Sequence, residues 1–133
     1  MNACFADSYF YLALLNPGDE AHERARALNR TMAVPLVTTE WVLTEVGDAL
    51  AAPVNRGLFL ELLAALRADA TVTILPASSA LFERGVQLYG DRLDKGWSLT
   101  DCVSFVVMRQ NNIADALTAD HHFEQAGFVA LLK

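Results

Sequence analysis

DKGWSLTDCVSFVVM, residues 94–108, joins a charged loop to an almost wholly apolar segment that predicts a buried helix. Ser98 has the position of a helix N-cap, and Ser98-Leu99-Thr100-Asp101 resembles a capping box in which aspartate replaces the usual glutamate or glutamine. Asp101 then falls in the first turn of a helix that is too apolar to face water. A carboxylate in that position is either a helix cap or part of a functional site, and the rest of the chain has to decide which.

The composition indicates one compact domain over residues 1–133. The hydrophobic share is 53% and the mean hydropathy is positive, which favours a fold with buried strands. The apolar runs are shorter than the roughly 18 residues needed to cross a bilayer, so we expect neither a membrane span nor a signal peptide. Cys4 and Cys102 lack the spacing of a metal or redox motif, which is typical of a reducing compartment. A cytoplasmic protein is therefore expected.

The net charge of −6 limits how this chain could bind nucleic acid. Proteins that hold nucleic acid through phosphate contacts alone are normally basic. A nucleic-acid role here needs positive charge that is concentrated locally or supplied by a bound metal ion. The excess of acid would also suit a basic protein partner.

Short apolar segments alternate with amphipathic ones along the chain, which predicts strands and helices in alternation. Strands are predicted at residues 2–6, 34–37, 71–75, 115–118 and 128–132. Helices are predicted at about residues 8–15, 20–29, 41–52, 55–68, 78–89, 99–110 and 121–126. The connections are long enough for crossovers, so the expected fold is α/β, with a mainly parallel sheet between helix layers.

Four acids fall at the same end of this predicted sheet. Asp7 ends the first strand, Asp120 follows the fourth, and Asp101 begins the helix that precedes the fourth. Glu45 lies on the edge of the apolar stripe of its helix, whereas Asp48 points nearly opposite. In open parallel sheets, sites form beyond the carboxyl ends of the strands, where the strand order reverses. If strands one and four flank that reversal, Asp7 and Asp120 face each other across a crevice.

Several carboxylates in one crevice favour a divalent metal ion. They repel one another and raise each other's pKa, and a cation removes that cost. Mg²⁺ and Mn²⁺ prefer oxygen ligands and bridge to substrate phosphates. Such a site can polarise a phosphodiester and generate a hydroxide nucleophile, so phosphodiester hydrolysis is the implied chemistry. These four acids do not by themselves choose between RNA and DNA.

Each acid also has a purely structural interpretation. Asp7, Asp101 and Asp120 can each serve as a helix cap, and Glu45 can be a half-exposed helix acid. Taken singly, each structural interpretation is the better supported one. Taken together, they do not explain why every acid falls at the same end of the sheet.

Other polar residues give weaker signals. The side chains of His121 and His122 are expected to diverge because the residues are adjacent, so the pair is not expected to share a metal; with His22 they are interpreted as surface or supporting residues. Cys102 is interpreted as core packing. Basic residues around the Asp101 helix could bind RNA phosphates or be ordinary surface residues: Arg84, Arg92, Lys95 and Arg109.

Four segments carry a family resemblance: FADS at residues 5–8, TEWVLTEV at 39–46, WSLTDC at 97–102, and ALTADHHF at 116–123 with AGF at 126–128. In this order and spacing they resemble PIN-domain proteins, many of which are VapC-type toxins of bacterial and archaeal toxin–antitoxin pairs. Each motif alone is weak, but the four in series are fairly specific. The resemblance covers essentially the whole chain.

The resemblance implies a three-layer α/β/α sandwich with about five strands, an Mg²⁺ or Mn²⁺ site, and endonucleolytic cleavage of single-stranded RNA. It maps the catalytic and metal-binding acids onto Asp7, Glu45, Asp101 and Asp120, and it selects Glu45 over Glu40. In that mechanism the three aspartates hold the metal, while Glu45 completes the set of ligands or orients the attacking water. It also implies a homodimer and a small antitoxin with a basic DNA-binding end.

One departure from the family pattern concerns the fourth motif. Family members often carry a further acid shortly after the fourth one, and here His121 and His122 occupy that region. By analogy with the family, the helix at 55–68 and the helix before it are expected to form the walls of an antitoxin groove.

Other functions remain open from the residues alone. A non-catalytic PIN-fold interaction module could use the acidic crevice to bind a basic partner, and it would have no reason to bind Mn²⁺ there. A phosphoacceptor domain built on Asp7 is disfavoured, since no acidic pair precedes Asp7 and no suitably placed lysine follows the later strands. A DNA nuclease would use the same four acids.

Overall fold

The structure is a computed structural model that describes residues 2–133, so Met1 of the predicted domain lies outside it. The strands are β1 (Cys4–Ala6), β2 (Leu36–Thr39), β3 (Val72–Leu75), β4 (Asp115–Leu117) and β5 (Val129–Ala130). The helices are α1 (Ser8–Leu15), α2 (His22–Thr31), α3 (Glu40–Ala49), α4 (Arg56–Ala68), α5 (Ser79–Asp91), α6 (Leu99–Gln110) and α7 (His121–Gln125). Within residues 2–133, no helix is long and apolar enough to cross a lipid bilayer.

The five strands form one parallel sheet in the order β3-β2-β1-β4-β5. The chain builds outward from β1 to β3 on one side and then returns to place β4 and β5 on the other. Cys4 of β1 pairs with Leu36 of β2 and with Asp115 of β4. The predicted parallel α/β fold is confirmed. The strand order reverses at β1, so the carboxyl ends of β1 and β4 lie side by side.

The element order follows the prediction, but several boundaries differ. β2 begins at Leu36 and includes Thr38 and Thr39, which lie beyond the predicted end of this strand at residue 37. β-branched threonines suit a strand, and the Thr38 hydroxyl donates to the Ala6 carbonyl at 2.8 Å across the sheet. Thr39 still acts as the N-cap of α3, because its hydroxyl accepts a bond from the Val42 N–H at 3.1 Å.

The end of the chain departs most from the expected strand at residues 128–132. Only Val129 and Ala130 pair as strand. Beyond them, the Leu131 and Leu132 N–H groups still donate to the carbonyls of Ala116 and Thr118, but the chain turns there instead of extending the ladder. α3 likewise ends at Ala49 rather than at residue 52.

The body of α6 forms the centre of the core, as its apolar sequence predicts. Val103, Phe105, Val107 and Met108 have no exposed surface. The Phe105 ring lies 4.9 Å from the Phe123 ring, between centroids, in an edge-to-face arrangement. Such a set of aromatic contacts adds to the stability from buried apolar area. This packing therefore holds α6, and with it Asp101, in a fixed position.

Helix α5 approaches α6 closely because Gly85 has no side chain. A Cβ atom at Gly85 would lie 2.6 Å from Cγ2 of Val103, closer than two carbon atoms can approach. The backbone of α5 can therefore pack directly on α6. This contact helps to fix the position of α6.

Candidate active site

The four predicted acids line one crevice at the carboxyl ends of β1 and β4. The crevice has a volume of about 330 Å³. Its lining residues are Asp7, Ser8, Tyr9, Leu12, Glu45, Gly96, Ser98, Asp101, Asp120 and His122. The structure thus brings together acids that are up to 113 positions apart in the chain. Glu40 and Asp48 line a different groove, which agrees with the stripe argument for Asp48 and with the family resemblance for Glu40.

Asp7 is the most buried of the four acids, with 5% of its surface exposed. It occupies the N-cap position of α1, but its side chain makes no capping bond. Instead, its Oδ2 accepts a hydrogen bond from the Thr118 hydroxyl at 3.0 Å. Burial, together with the charges of Asp101 and Glu45, raises the pKa of Asp7 to about 7, although hydrogen bonds from the Thr118 hydroxyl and the Ser8 backbone lower it. Asp7 is therefore the N-cap residue of α1 by position, but its side chain does not cap the helix.

Asp101 is both a helix cap and a wall of the crevice. Its N–H donates to Oγ of Ser98 at 2.9 Å, and its Oδ2 accepts from the Ser98 N–H at 3.2 Å. Both bonds of the predicted capping box are present. Burial raises the pKa of Asp101, and the nearby charge of Asp120 raises it as well. The reciprocal cap fixes the first turn of α6 and so holds the Asp101 carboxylate at the crevice.

Asp120 also has both roles. Its Oδ1 accepts the His122 N–H at 2.9 Å and caps α7. Its own N–H donates to the Thr118 hydroxyl at 3.1 Å. The buried Thr118 hydroxyl therefore links Asp7 to the backbone of Asp120. From the sequence, Thr118 is predicted only as the end of a strand. Its place two residues before Asp120 could have indicated a supporting role in the site.

Glu45 reaches the crevice from α3. The residue is half-buried, and burial raises the pKa of its carboxyl. A hydrogen bond with the Ser8 side chain lowers that pKa, while the charges of Asp101 and Asp120 raise it. Three carboxyls of the crevice thus have raised pKa values for two shared reasons, burial and mutual repulsion.

The histidines after Asp120 are arranged differently from the expectation. Nδ1 of His122 lies 3.2 Å from Oδ2 of Asp101 and 3.5 Å from Oδ1 of Asp120. The rings of His121 and His122 do not diverge, since their centroids are 4.4 Å apart. Both rings fold back toward Asp120 at the start of α7. By contrast, His22 has a structural contact, with Nδ1 2.8 Å from the Ala13 carbonyl.

The loop at residues 92–98 carries two basic side chains and also supplies Gly96 and Ser98 to the lining of the crevice. Arg92 pairs with both carboxylate oxygens of Asp94 at 3.1 Å and lies 5.1 Å above the Trp97 ring. Nζ of Lys95 is 3.6 Å from Asp94. Arg109 is exposed near the far end of α6, about 12 Å along the helix axis from Asp101. Of the predicted basic residues, Arg92 and Lys95 therefore share a loop with residues of the crevice, whereas Arg84 lies on α5.

The donor set of the crevice suits a hard divalent cation. All four acids offer carboxylate oxygens, which Mg²⁺ and Mn²⁺ prefer. A cation would also favour the ionised forms that burial and repulsion disfavour in Asp7, Glu45 and Asp101. The arrangement is a candidate site for a divalent metal ion.

Comparison with known proteins gives matches along nearly the whole chain. The model of the PIN domain family matches residues 4–129. The 23S rRNA-specific endonuclease VapC20 of Mycobacterium tuberculosis is 30% identical over 125 residues, which cover 94% of this chain and 95% of that protein.

Solved structures share the fold. The crystal structure of M. tuberculosis VapC20, described as a sarcin-ricin loop cleaving toxin, superposes with a TM-score of 0.86 at 29% identity and covers 95% of this chain and 96% of that one. FitAcB from Neisseria gonorrhoeae has a TM-score of 0.65 at 17% identity, covering 96% and 94%. VapBC2 from Rickettsia felis, bound to a DNA fragment from its promoter, has a TM-score of 0.65 at 11% identity, covering 96% of each.

Proposed function

The chain belongs to the PIN-domain family, and from this premise we propose that it is a metal-dependent endoribonuclease and the toxin of a type II toxin–antitoxin pair. The observation that carries the proposal is the meeting of Asp7, Glu45, Asp101 and Asp120 in one crevice of about 330 Å³. The 30% identity to a 23S rRNA-specific endonuclease supports RNA as the substrate. It makes 23S rRNA the first RNA to test.

In this proposal, Asp7, Asp101 and Asp120 would hold Mg²⁺ or Mn²⁺, and Glu45 would complete the set of ligands or orient the attacking water. The bound ion would supply a polarised phosphate and a water of lowered pKa. The chain's own contribution is positioning. Thr118 holds Asp7 through a 3.0 Å hydrogen bond. The capping box with Ser98 holds Asp101.

Substrate binding would use the loop beside the crevice. Arg92 and Lys95 lie on the same loop as Gly96 and Ser98, which line the crevice. They would contact RNA phosphates while the metal neutralises the phosphate that reacts. This local positive charge is what a protein of net charge −6 needs to handle a polyanion.

The proposed antitoxin would bind along α4. A groove of about 550 Å³ lies between α3, α4 and β3, with Leu43, Phe59, Leu63 and Ile74 among its lining. A second groove of about 620 Å³ lies between α4 and the end of α1. A partner helix with apolar anchors would fill such grooves. A small overlapping gene immediately upstream, encoding a basic DNA-binding end, would identify this partner, and the pair would act in the cytoplasm.

The proposed homodimer would use the outer face of α5. Exposed apolar residues recur there at spacings of four and three, namely Phe82, Val86 and Tyr89. This spacing is typical of a seam between two packed helices. A second copy of the same face is self-complementary, as a two-fold interface requires.

The ribonuclease proposal is tested with an isosteric change at the most buried acid. Asp7→Asn should fold normally and lose Mn²⁺-dependent RNA cleavage by more than the roughly 10- to 100-fold that changes beside a metal site produce. Asp48→Asn is the matched control, because Asp48 is exposed and lines another groove. Full activity in Asp7→Asn would overturn the assignment. A wild-type protein that neither cleaves RNA nor binds Mn²⁺ would support the non-catalytic interaction module instead.

A further inference from the structure

A second group of possible metal ligands lies at the rim of the acidic crevice. Asp120, His121 and His122 each present one ligand atom, and these atoms lie within 4.8 Å of one another. Oδ1 of Asp120 is 3.7 Å from Nδ1 of His121 and 3.5 Å from Nδ1 of His122. Three consecutive residues thus place possible ligand atoms close to one another.

These separations are close to those around a single metal ion. For a tetrahedral Zn²⁺ site with bonds of about 2.0–2.1 Å, two ligand atoms lie roughly 3.3–3.4 Å apart. The Asp120–histidine distances exceed that value by only a few tenths of an ångström. Oδ2 of Asp101, 3.2 Å from Nδ1 of His122, places another oxygen beside the group. Small side-chain rotations would therefore enclose an ion.

The chemistry of this group differs from that of the four acids. Imidazole nitrogen favours borderline ions such as Zn²⁺, Co²⁺ and Ni²⁺, whereas Mg²⁺ prefers oxygen ligands alone. The group and the acidic crevice share Asp120, so the two sets of ligands are adjacent but not identical. One residue change can therefore separate them.

The group is also accessible. The His121 side chain is 64% exposed, yet its ring lies against that of His122 instead of extending into solvent. The other two members are partly buried, which fixes their positions. An ion can enter from the His121 side and meet two ligands that are already oriented.

We propose that Asp120, His121 and His122 bind a borderline transition-metal ion, with Zn²⁺ as the reference case, at the rim of the acidic crevice. The site goes beyond the ribonuclease assignment, because its occupation needs neither RNA nor catalysis. It would give this chain a nitrogen-containing metal site beside the all-oxygen one.

Metal binding without RNA tests the proposal. Zn²⁺ is titrated by calorimetry, and Co²⁺ is followed by visible absorption, which reports nitrogen ligands and low coordination number. His121→Ala should weaken Zn²⁺ binding at least tenfold and remove the Co²⁺ absorption, while Mn²⁺ binding stays at the wild-type value. Asp7→Asn should do the reverse, and Asp120→Asn should weaken the binding of both ions. His22→Asn is the control for loss of a histidine elsewhere, and it should bind Zn²⁺ as the wild type does.

Wild-type Zn²⁺ binding in His121→Ala would overturn the proposal, as would Zn²⁺ binding that Asp7→Asn abolishes. Mn²⁺ binding in His121→Ala also shows that this variant is folded. If the wild type binds Zn²⁺ through His121 but binds no Mn²⁺, the ribonuclease assignment fails while the rim site stands. The two proposals therefore have separate outcomes.

Discussion

The first turn of α6 and the body of the same helix lie in opposite environments, a crevice of charged groups and an apolar core. Its first turn presents Asp101 to a crevice of carboxylates, and its body presents Phe105 to a core of aromatic rings. Phe105 contacts the rings of Trp97 and Phe123, with centroids 5.0 Å and 4.9 Å away. The crevice, by contrast, holds three carboxyls whose pKa values are raised by burial. One region stabilises the fold, and the other is maintained against its own repulsion.

The comparison indicates that the apolar core holds the carboxylates of the crevice in place. A rigid helix can hold a charged group where that group would not remain by itself, because the rest of the helix is buried. The capping box then joins the two regions, since Ser98 fixes the helix start and Asp101 together. The burial of residues 103–108 therefore helps to position the carboxylate of Asp101.

Substitution in the core should have the larger effect on stability. Phe105→Ala removes a fully buried ring and should lower the free energy of unfolding by about 3–5 kcal/mol. Urea denaturation measures the loss. Phe82→Ala is the control, because Phe82 is 43% exposed on α5 and should change the stability by less than about 1 kcal/mol if the monomer is measured. An equal loss in the free energy of unfolding in the two variants would contradict the assignment of Phe105 to the core and Phe82 to the surface.

Substitution in the crevice should change the stability in the opposite direction, and only at the higher pH values. The pKa of Asp7 rises from 3.8 to about 7 on folding, so the folded protein binds a proton more tightly than the unfolded chain. The stability that this group contributes is fully present below pH 3.8 and is lost as the pH rises to about 7. Without metal, Asp7→Asn should nearly match the wild type near pH 4 and exceed it at pH 8 by up to about 4 kcal/mol, the free energy that corresponds to the rise in the pKa of Asp7.

Thermal unfolding across this pH range, in the presence of a chelator, measures the difference between the two proteins. The stability of Asp7→Asn should fall less steeply with pH, because the variant has no carboxyl at position 7 that must ionise in a buried site. Saturating Mn²⁺ should raise the stability of the wild type at pH 8 and leave Asp7→Asn nearly unchanged. An Asp7→Asn protein that is less stable than the wild type at every pH would contradict the account.

Residue patterns predicted the parallel α/β fold, the burial of α6 and the capping box because these depend on local periodicity and short spacings. The strand order could not be read from the sequence. The strand order depends on how the helical crossovers pack against the sheet. The pairing of β1 with β4 is therefore seen only in the assembled sheet. The site's assembly from Asp7, Glu45, Asp101 and Asp120 was predicted on the condition of that adjacency.

Two features of the site lay beyond the sequence argument for different physical reasons. Thr118 bonds to Asp7 across 111 residues, a contact that no local pattern encodes. His121 and His122 were expected to diverge because adjacent residues on a helix point in different directions. They lie at the first turn of a five-residue helix whose cap is Asp120, and there both rings turn back toward the cap.

The central claim is that four acids from distant parts of the chain form one divalent-metal site. Anomalous diffraction from a crystal soaked in Mn²⁺ locates the ion directly. The account predicts a peak in the crevice, roughly 2.0–2.6 Å from carboxylate oxygens of Asp7, Asp101 and Asp120. A crystal whose Mn²⁺ peak lies only in another groove, such as the one lined by Glu40 and Asp48, would contradict it.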